Sequence, residues 1–407
     1  MKRAVSLAVF SAVFFMLVSA PFSVFAAGVI KVGIVDCYSG PPGVYTHDVR
    51  DAFGLVADKV NRSGGVFGKK IVFVTRDSKF KVDIGLSAAK ELIMRENVDL
   101  LMGTINSALA LAISDLAKKE KIPFLVTFAK SAKITGAKGH RYVFSVTENT
   151  AMAGKAGAAG LAEKPFVKYW IAGDDYEYGH SLADAVWKNL KKMRPDATLM
   201  GQSWWKVGEP DFTPYITAIL SADPDALVVA TGGRDCVPFL KAAKATGLNK
   251  RIPFYMHTAT ELSTLKPLGL NAPEGVIGTA NYHYDADVLD TPANRAFVKE
   301  FKDAFGREPA VGALYGHIAG SFVAAAYQKA GKADPERFID ALEGMSVDSP
   351  VGRVTMRAYD HQAALPMFMG VTRKAAGKPR LVAADIVVIP GQKALPSIEE
   401  IKKSRER

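Results

Sequence analysis

Short β-branched runs alternate with amphipathic stretches along most of this chain, and that alternation restricts the fold more than any other feature. Val29–Asp36 (VIKVGIVD) reads as a strand ending at a turn that contains Gly40, Pro41, Pro42 and Gly43. Ala52, Phe53, Val56, Ala57 and Val60 then mark one face of a helix, which stops at Gly64-Gly65. Strands are predicted over 70–75, 98–102 and 122–127, with helical patterns between them. A second series has strands over 166–172, 198–204, 226–230 and 253–256, separated by helices over 181–193, 212–220 and 237–246. Strands joined through helices make parallel sheets with right-handed crossovers. Two such series, parted near residue 147, predict two α/β lobes. Helices over 292–305 and 311–330 follow, with short strands near 351–356 and 366–372; the charged stretch 398–407 reads as a solvated end.

Residues 1–26 read as a leader and not as fold. Lys2 and Arg3 precede an apolar run from Ala4 to Ala20, Pro21 breaks it, and Val24 and Ala26 suit cleavage after Ala26. A retained anchor is the alternative, but the run is short for a bilayer span and no cysteine stands near the cleavage point. An exported chain is expected. The formal charge of +11 falls to +9 without Lys2 and Arg3, and no Lys/Arg cluster interleaved with aromatics supports a nucleic-acid partner. Two cysteines cannot form a disulfide scaffold or a four-thiolate metal site. No G-x-G-x-x-G, P-loop, G-x-S-x-G, H-E-x-x-H or C-x-x-C is present, and the seven histidines are scattered. Neither an enzyme nor a metal or other cofactor is expected.

In open α/β sheets a ligand sits beyond the carboxyl ends of the strands, so the loops there matter most: Cys37–Tyr45 (CYSGPPGVY), Gly103–Ala108 (GTINSA), Thr127–Ser131 (TFAKS), Asp174–Gly179 (DDYEYG), Gly232–Asp235 (GGRD) and His257–Thr260 (HTAT). With Asn61–Gly65 (NRSGG), Pro210–Phe212 and Pro273–Gly275 (PEG), these loops in this order resemble the periplasmic leucine/isoleucine/valine-binding protein family, the solute receptors of ABC importers. The resemblance covers nearly the whole mature chain. It implies the periplasm as compartment and a type I periplasmic binding fold: two lobes, each a parallel-sheet α/β sandwich, joined by a three-crossing hinge that closes on a small ligand. By that resemblance lobe one takes 27–147 plus 279–350, lobe two takes 148–278 plus 351–390, and 391–407 is a charged C-terminal tail.

The resemblance also proposes the site. Ser107, at the start of a helix, would hold a ligand carboxylate with the free N–H groups of that helix end; as a plain N-cap it would look the same. Ser131 and the backbone at Ala129 would hold the same anion, or Ser131 would cap its own turn. Lys130 departs from the family's small residue there, and would either add a charge-assisted bond or point to solvent. Tyr178, with Tyr176 as the other possibility, would reach across from lobe two, and Tyr45 would wall the apolar end; partial burial as core, or a surface position for Tyr45, is the plainer reading. Arg234 and Thr258 would close from lobe two. Amino-acid-binding relatives use an acid near Thr258, whereas here the string is His257-Thr258-Ala259-Thr260 with no acid before Glu261. Lys130 and Arg234 therefore favour an anionic ligand, such as an aromatic or branched aliphatic acid, over plain leucine, with Asp235 or Glu261 as substitutes for the missing acid. Cys37 and Cys236 lie in loops of opposite lobes and are expected as free thiols, since a bridge would oppose opening. The implied partners are a small carboxylate and the permease and ATPase of an importer, with the receptor itself a monomer. A ligand-sensing subunit that regulates a partner receptor is the alternative.

Overall fold

A computed structural model describes residues 28–40 and 42–406. The expected leader, its cleavage point and Pro41 lie outside the described residues.

The first five strands are β1 (Val29–Asp36), β2 (Lys70–Asp77), β3 (Leu100–Gly103), β4 (Phe124–Val126) and β5 (Val143–Ser145). They form one parallel sheet in the order β2-β1-β3-β4-β5. The next five are β6 (Lys168–Asp174), β7 (Thr198–Trp205), β8 (Ala226–Ala230), β9 (Phe254–Met256) and β10 (Ile277–Ala280). They belong to a second sheet, completed by two late strands after a separate hairpin of β11 (Ser346–Ser349) and β12 (Gly352–Thr355). The late strands are β13 (Met367–Arg373) and β14 (Val382–Ile389), and the order is β14-β13-β10-β9-β8-β6-β7. Central strands such as β3 and β8 are buried at every position, as parallel strands covered on both faces must be.

The two-lobe α/β architecture predicted from the alternation is present, with corrections. The second sheet is not purely parallel: β13 runs antiparallel to β10, and β14 antiparallel to β13. β14 has no counterpart in the sequence reading, because it is a half-exposed edge strand without clean alternation. The expected break between 278 and 279 falls inside β10, which stays in the second sheet through Ala280. The expected return at 351 is also early. β12 pairs with β11, and Ser145 bridges Gln362 beside the first sheet, so the chain crosses to the second sheet between Ala363 and Met367.

The lobes are thus joined by three crossings: 146–149 after β5, 281 onward after β10, and 364–366 before β13. The helix Val311–Ala330 lies against the helix Gly43–Arg62 so closely that a Cβ on Gly312 or Gly316 would stand 2.2 or 2.1 Å from the Tyr45 or Val49 carbonyl oxygen. That approach fixes Tyr45 in the first turn of its helix, where the sequence reading has a loop.

Residues 398–405, expected as part of a solvated end, are held in a helix. Ser397 and Glu400 form a capping box that starts a helix over Ile398–Arg405. Ile401, its one buried residue, anchors it. Arg405 donates to the carbonyls of Gly136 and Thr135 at 3.1 Å each, and Glu400 pairs with Lys192 at 3.2 Å. The helix therefore touches both lobes. No helix of the described residues is long and apolar enough to cross a membrane.

Candidate functional site

A cavity between the lobes is walled by aromatic rings. Tyr45 packs edge-on against Phe128 (centroids 5.4 Å apart), and Phe128 packs edge-on against Tyr315 (5.4 Å). Opposite them, Tyr176 meets Phe80 across the lobes at 6.3 Å and stands 6.0 Å from Tyr178. Ile105, Val207, Gly232 and Gly233 complete the wall. Tyr178 is held there because the helix Glu177–Met193 starts hard against β6: a Cβ on Gly179 would lie 2.0 Å from the Asp174 carbonyl oxygen. The Tyr45 hydroxyl donates to the Gly233 carbonyl of the facing lobe at 3.4 Å, so the cleft is closed.

The floor is charged and buried. The Lys130 ammonium pairs with Glu148 and lies 3.7 Å from Glu261 Oε1. It also sits over the rings of Phe128 (5.1 Å) and Tyr315 (5.6 Å). Burial opposes this ammonium, yet Glu148 and Glu261 hold its pKa above the usual lysine range. Burial likewise opposes the Glu148 carboxylate, but Lys130 and then His257 bring it down to about 2. Glu261 goes the other way: burial pushes it up to about 7 against the pull of Lys130. Glu261 Oε1 accepts no hydrogen bond. His257 is kept neutral by burial; its Nδ1 lies 3.0 Å from the Tyr178 hydroxyl and its Nε2 lies 3.1 Å from Glu148 Oε1, off the hydrogen-bonding direction. Asp174 is buried at the lobe-two wall, where Trp205, Thr231 and Gly232 donate to it; burial lifts it to about 7.

Of the residues named from sequence, the structure brings Tyr45, Lys130, Tyr176, Tyr178, Arg234 and Thr258 around this one cavity. Ser107, Ala129 and Ser131 stand outside its lining. The N-cap beside Ser107 is Asn106, whose side chain accepts from Leu109 N at 3.1 Å. Ser107 Oγ accepts from Ser131 N, Ala129 N donates to the Thr104 carbonyl, and Ser131 Oγ donates to Glu177 across the cleft at 2.6 Å. Lys130 is neither a free cation nor solvent-facing, because Glu148 takes it. Arg234 is exposed at the mouth with no ion pair among the described residues. Cys37 and Cys236 are free thiols, the latter 2.9 Å from Thr258 Oγ1.

Glu261 is the substitute acid named from the sequence, and Phe128 was within reach of it, being inside a quoted loop. Phe80 and Glu148 follow the carboxyl ends of β2 and β5, whose loops are not among those quoted, and Tyr315 lies inside a helix. Among the described residues no group of His, Cys, Asp and Glu side chains could hold a metal ion.

This architecture has well-matched counterparts. The family described as "Periplasmic binding protein" matches residues 29–378. The chain is 25% identical over 376 residues to "Leu/Ile/Val-binding protein homolog 4" of Brucella abortus (strain 2308), with 87% of this chain and 86% of that one covered. Among solved structures, a periplasmic binding protein from Burkholderia mallei superposes with a TM-score of 0.84 at 22% identity, covering 92% of this chain and 98% of that one. A solute-binding protein of an ABC transporter from Rhodopseudomonas palustris BisB5, in complex with 3,4-dihydroxybenzoic acid, gives 0.80 at 22% identity, covering 91% and 99%. A two-lobed α/β fold closed over an aromatic-walled cleft, matched by one family across most of its length, places this chain in the periplasmic binding protein family, whose members are non-enzymatic components of transport.

Proposed function

We propose that the protein is an exported solute receptor of an ABC importer, its leader removed after Ala26, whose cleft closes on a hydrophobic α-amino acid and hands it to a permease driven by an ATPase. The observation that carries the ligand class is Glu261. Its Oε1 is buried at the cavity without a hydrogen-bond partner, while the Lys130 charge beside it is taken by Glu148. A carboxylate lifted to about 7 by burial gains most from a cationic partner, and a ligand ammonium supplies one. In this reading the exposed Arg234 guanidinium at the cavity meets the ligand's carboxylate, and the lining rings of Tyr45, Phe128, Tyr176 and Tyr178 cover its apolar body. This reverses the weight that the sequence puts on Lys130. The Leu/Ile/Val-binding name of the Brucella relative agrees with it.

The aromatic walls favour a second reading, an aromatic acid with its carboxylate on Arg234, as the dihydroxybenzoate complex of the Rhodopseudomonas palustris protein illustrates. A thermal-shift panel on protein unfolded and refolded to strip carried ligand separates the two. It compares leucine, isoleucine, valine and phenylalanine with their 2-oxo acids and with benzoate-type acids, for the wild type and Glu261→Gln. Ligand at about 100 times its Kd adds roughly 2.7 kcal/mol to stability. Shifts by the amino acids only, lost in Glu261→Gln, are the expected result. Shifts by acids lacking the amine, retained in Glu261→Gln, would assign the aromatic-acid reading instead.

A further inference from the structure

The cleft floor and the three crossings form one connected set of buried polar contacts. Glu148 stands in the first crossing with its side chain fully buried. Oε1 of its carboxylate accepts from Lys130 of lobe one and lies 3.1 Å from His257 of lobe two. Oε2 accepts from the Tyr315 hydroxyl, on the helix Val311–Ala330. That hydroxyl lies 2.8 Å from Asn281 Oδ1 in the second crossing, and Asn281 Nδ2 donates to the Pro366 carbonyl in the third at 2.6 Å. In the other direction, His257 reaches Tyr178 on the cavity wall.

We propose that Glu148 is a positioning residue that ties the ligand cleft to all three crossings, so that closing the cleft and setting the hinge are one event. The proposal rests on reading the cleft as one that closes on a solute. The physical reason is the cost of an uncompensated buried carboxylate. Lys130 of lobe one pairs with Glu148 Oε1 and the His257 ring of lobe two packs 3.1 Å from the same oxygen, so this ion pair is shut away from water only when the lobes are together. The same carboxylate fixes the Tyr315 hydroxyl, whose single proton lies between Glu148 and Asn281 Oδ1, and Asn281 in turn holds Pro366; neither Asn281 nor Pro366 lines the ligand cavity. A contact that favours one arrangement of the lobes over the other is what shifts a conformational equilibrium. A separate link through Gln362, which donates to the Thr147 carbonyl and accepts from Asn149, joins only the first crossing to the approach of the third and bypasses Asn281.

Hydrogen exchange on the full chain tests this without knowledge of the ligand. In Glu148→Gln, which keeps the shape but loses the charge, exchange should rise about tenfold or more in 146–149, 280–283 and 362–368 together, with β1 and β8 as protected as before. Adding Lys130→Met, which removes the stranded ammonium, should restore much of the protection. A rise confined to 146–149, or none, overturns the proposal. Should Glu148→Gln fail to fold, Tyr315→Phe cuts the same path beyond Glu148. It should loosen 280–283 and 362–368 while sparing 146–149, and an unchanged third crossing overturns the proposal equally. Leucine and 3,4-dihydroxybenzoate, each at millimolar concentration, are run alongside. If neither protects the cavity loops of the wild type while Glu148→Gln still loosens all three crossings, the solute reading fails and the tie stands.

Discussion

The floor and the mouth of this cleft both bring charges from the two lobes together, but in opposite surroundings. At the floor, Lys130, Glu148, His257 and Glu261 are all no more than 4% exposed. At the mouth, Lys133 pairs with Glu177 at 2.8 Å with side chains 53% and 18% exposed, and Arg234 stands in solvent. Removing one partner of a buried pair leaves a charge that water cannot reach, whereas an exposed pair trades its partner for water at little cost. The floor should therefore decide whether the protein folds and what it accepts. The mouth should only adjust how readily it closes.

The sharpest way to break that contrast is Glu148→Ala. It strands the Lys130 ammonium and frees the Tyr315 hydroxyl, so unfolding in urea should show a loss of about 3–5 kcal/mol. A loss under about 1 kcal/mol would put the floor on the same footing as the mouth.

Acidity gives the next largest effect. Asp36, Asp174 and Glu261 are each pushed up to about 7 by burial, while Glu148 is held at about 2. For the three raised groups the folded state binds the proton more tightly. Their contribution is complete below the ordinary carboxylate range and lost as pH rises through about 7. For Glu148 the contribution is present above that range and lost as pH falls through about 2. Buried His283 and His317, held at about 4, act the other way, and their contribution is lost as pH falls from about 6.5 through 4. The effect of one carboxylate is therefore read by difference: as pH rises from about 4.5 to 7, the ligand-free wild type should lose stability relative to Glu261→Gln by on the order of a few kcal/mol. An ammonium bound beside Glu261 lowers its pKa, so calorimetry of leucine binding near pH 6.5 in two buffers should show proton release. A stability difference between the wild type and Glu261→Gln that stays constant from about pH 4.5 to 8 would contradict the burial of Glu261.

The same contrast explains what the sequence could disclose. Strand–helix alternation is a local pattern, so both sheets and the loops carrying Tyr45, Tyr178, Arg234 and Thr258 were legible. The partners of a buried charge are not local. Lys130 reads as an anion site only until Glu148, 18 residues on, folds back onto it. Glu148 lies in a crossing and Tyr315 mid-helix, and neither position carries a motif. Asn106-Ser107 offers two capping residues in succession, and the choice between them is made by geometry. The helix Ile398–Arg405 escaped because two apolar residues, Ile398 and Ile401, among charges are too few to define a periodicity.

That helix sharpens the comparison, since it joins the lobes through exposed charges plus one buried side chain. Ile401→Asp should cost about 1.5–3 kcal/mol in thermal unfolding, the value of burying such a side chain, and should leave the pH dependence unchanged. A loss matching that of Glu148→Ala would mean that apolar anchoring outside the cleft rivals its floor.

The smallest effect belongs to Lys133 and Glu177. Glu177 also accepts from Ser131 Oγ, so Glu177→Gln keeps an acceptor there and removes only the charge. A double-mutant cycle with Lys133→Met should give a coupling of about 0.2–1 kcal/mol at low ionic strength. It should fade towards zero near 1 M salt, where screening acts within about 3 Å. The corresponding cycle of Lys130→Met with Glu148→Gln should keep its coupling at that salt, because no ion reaches the pair. If the two couplings fall together as salt rises, solvent enters the floor and the distinction between the two ends of the cleft is lost.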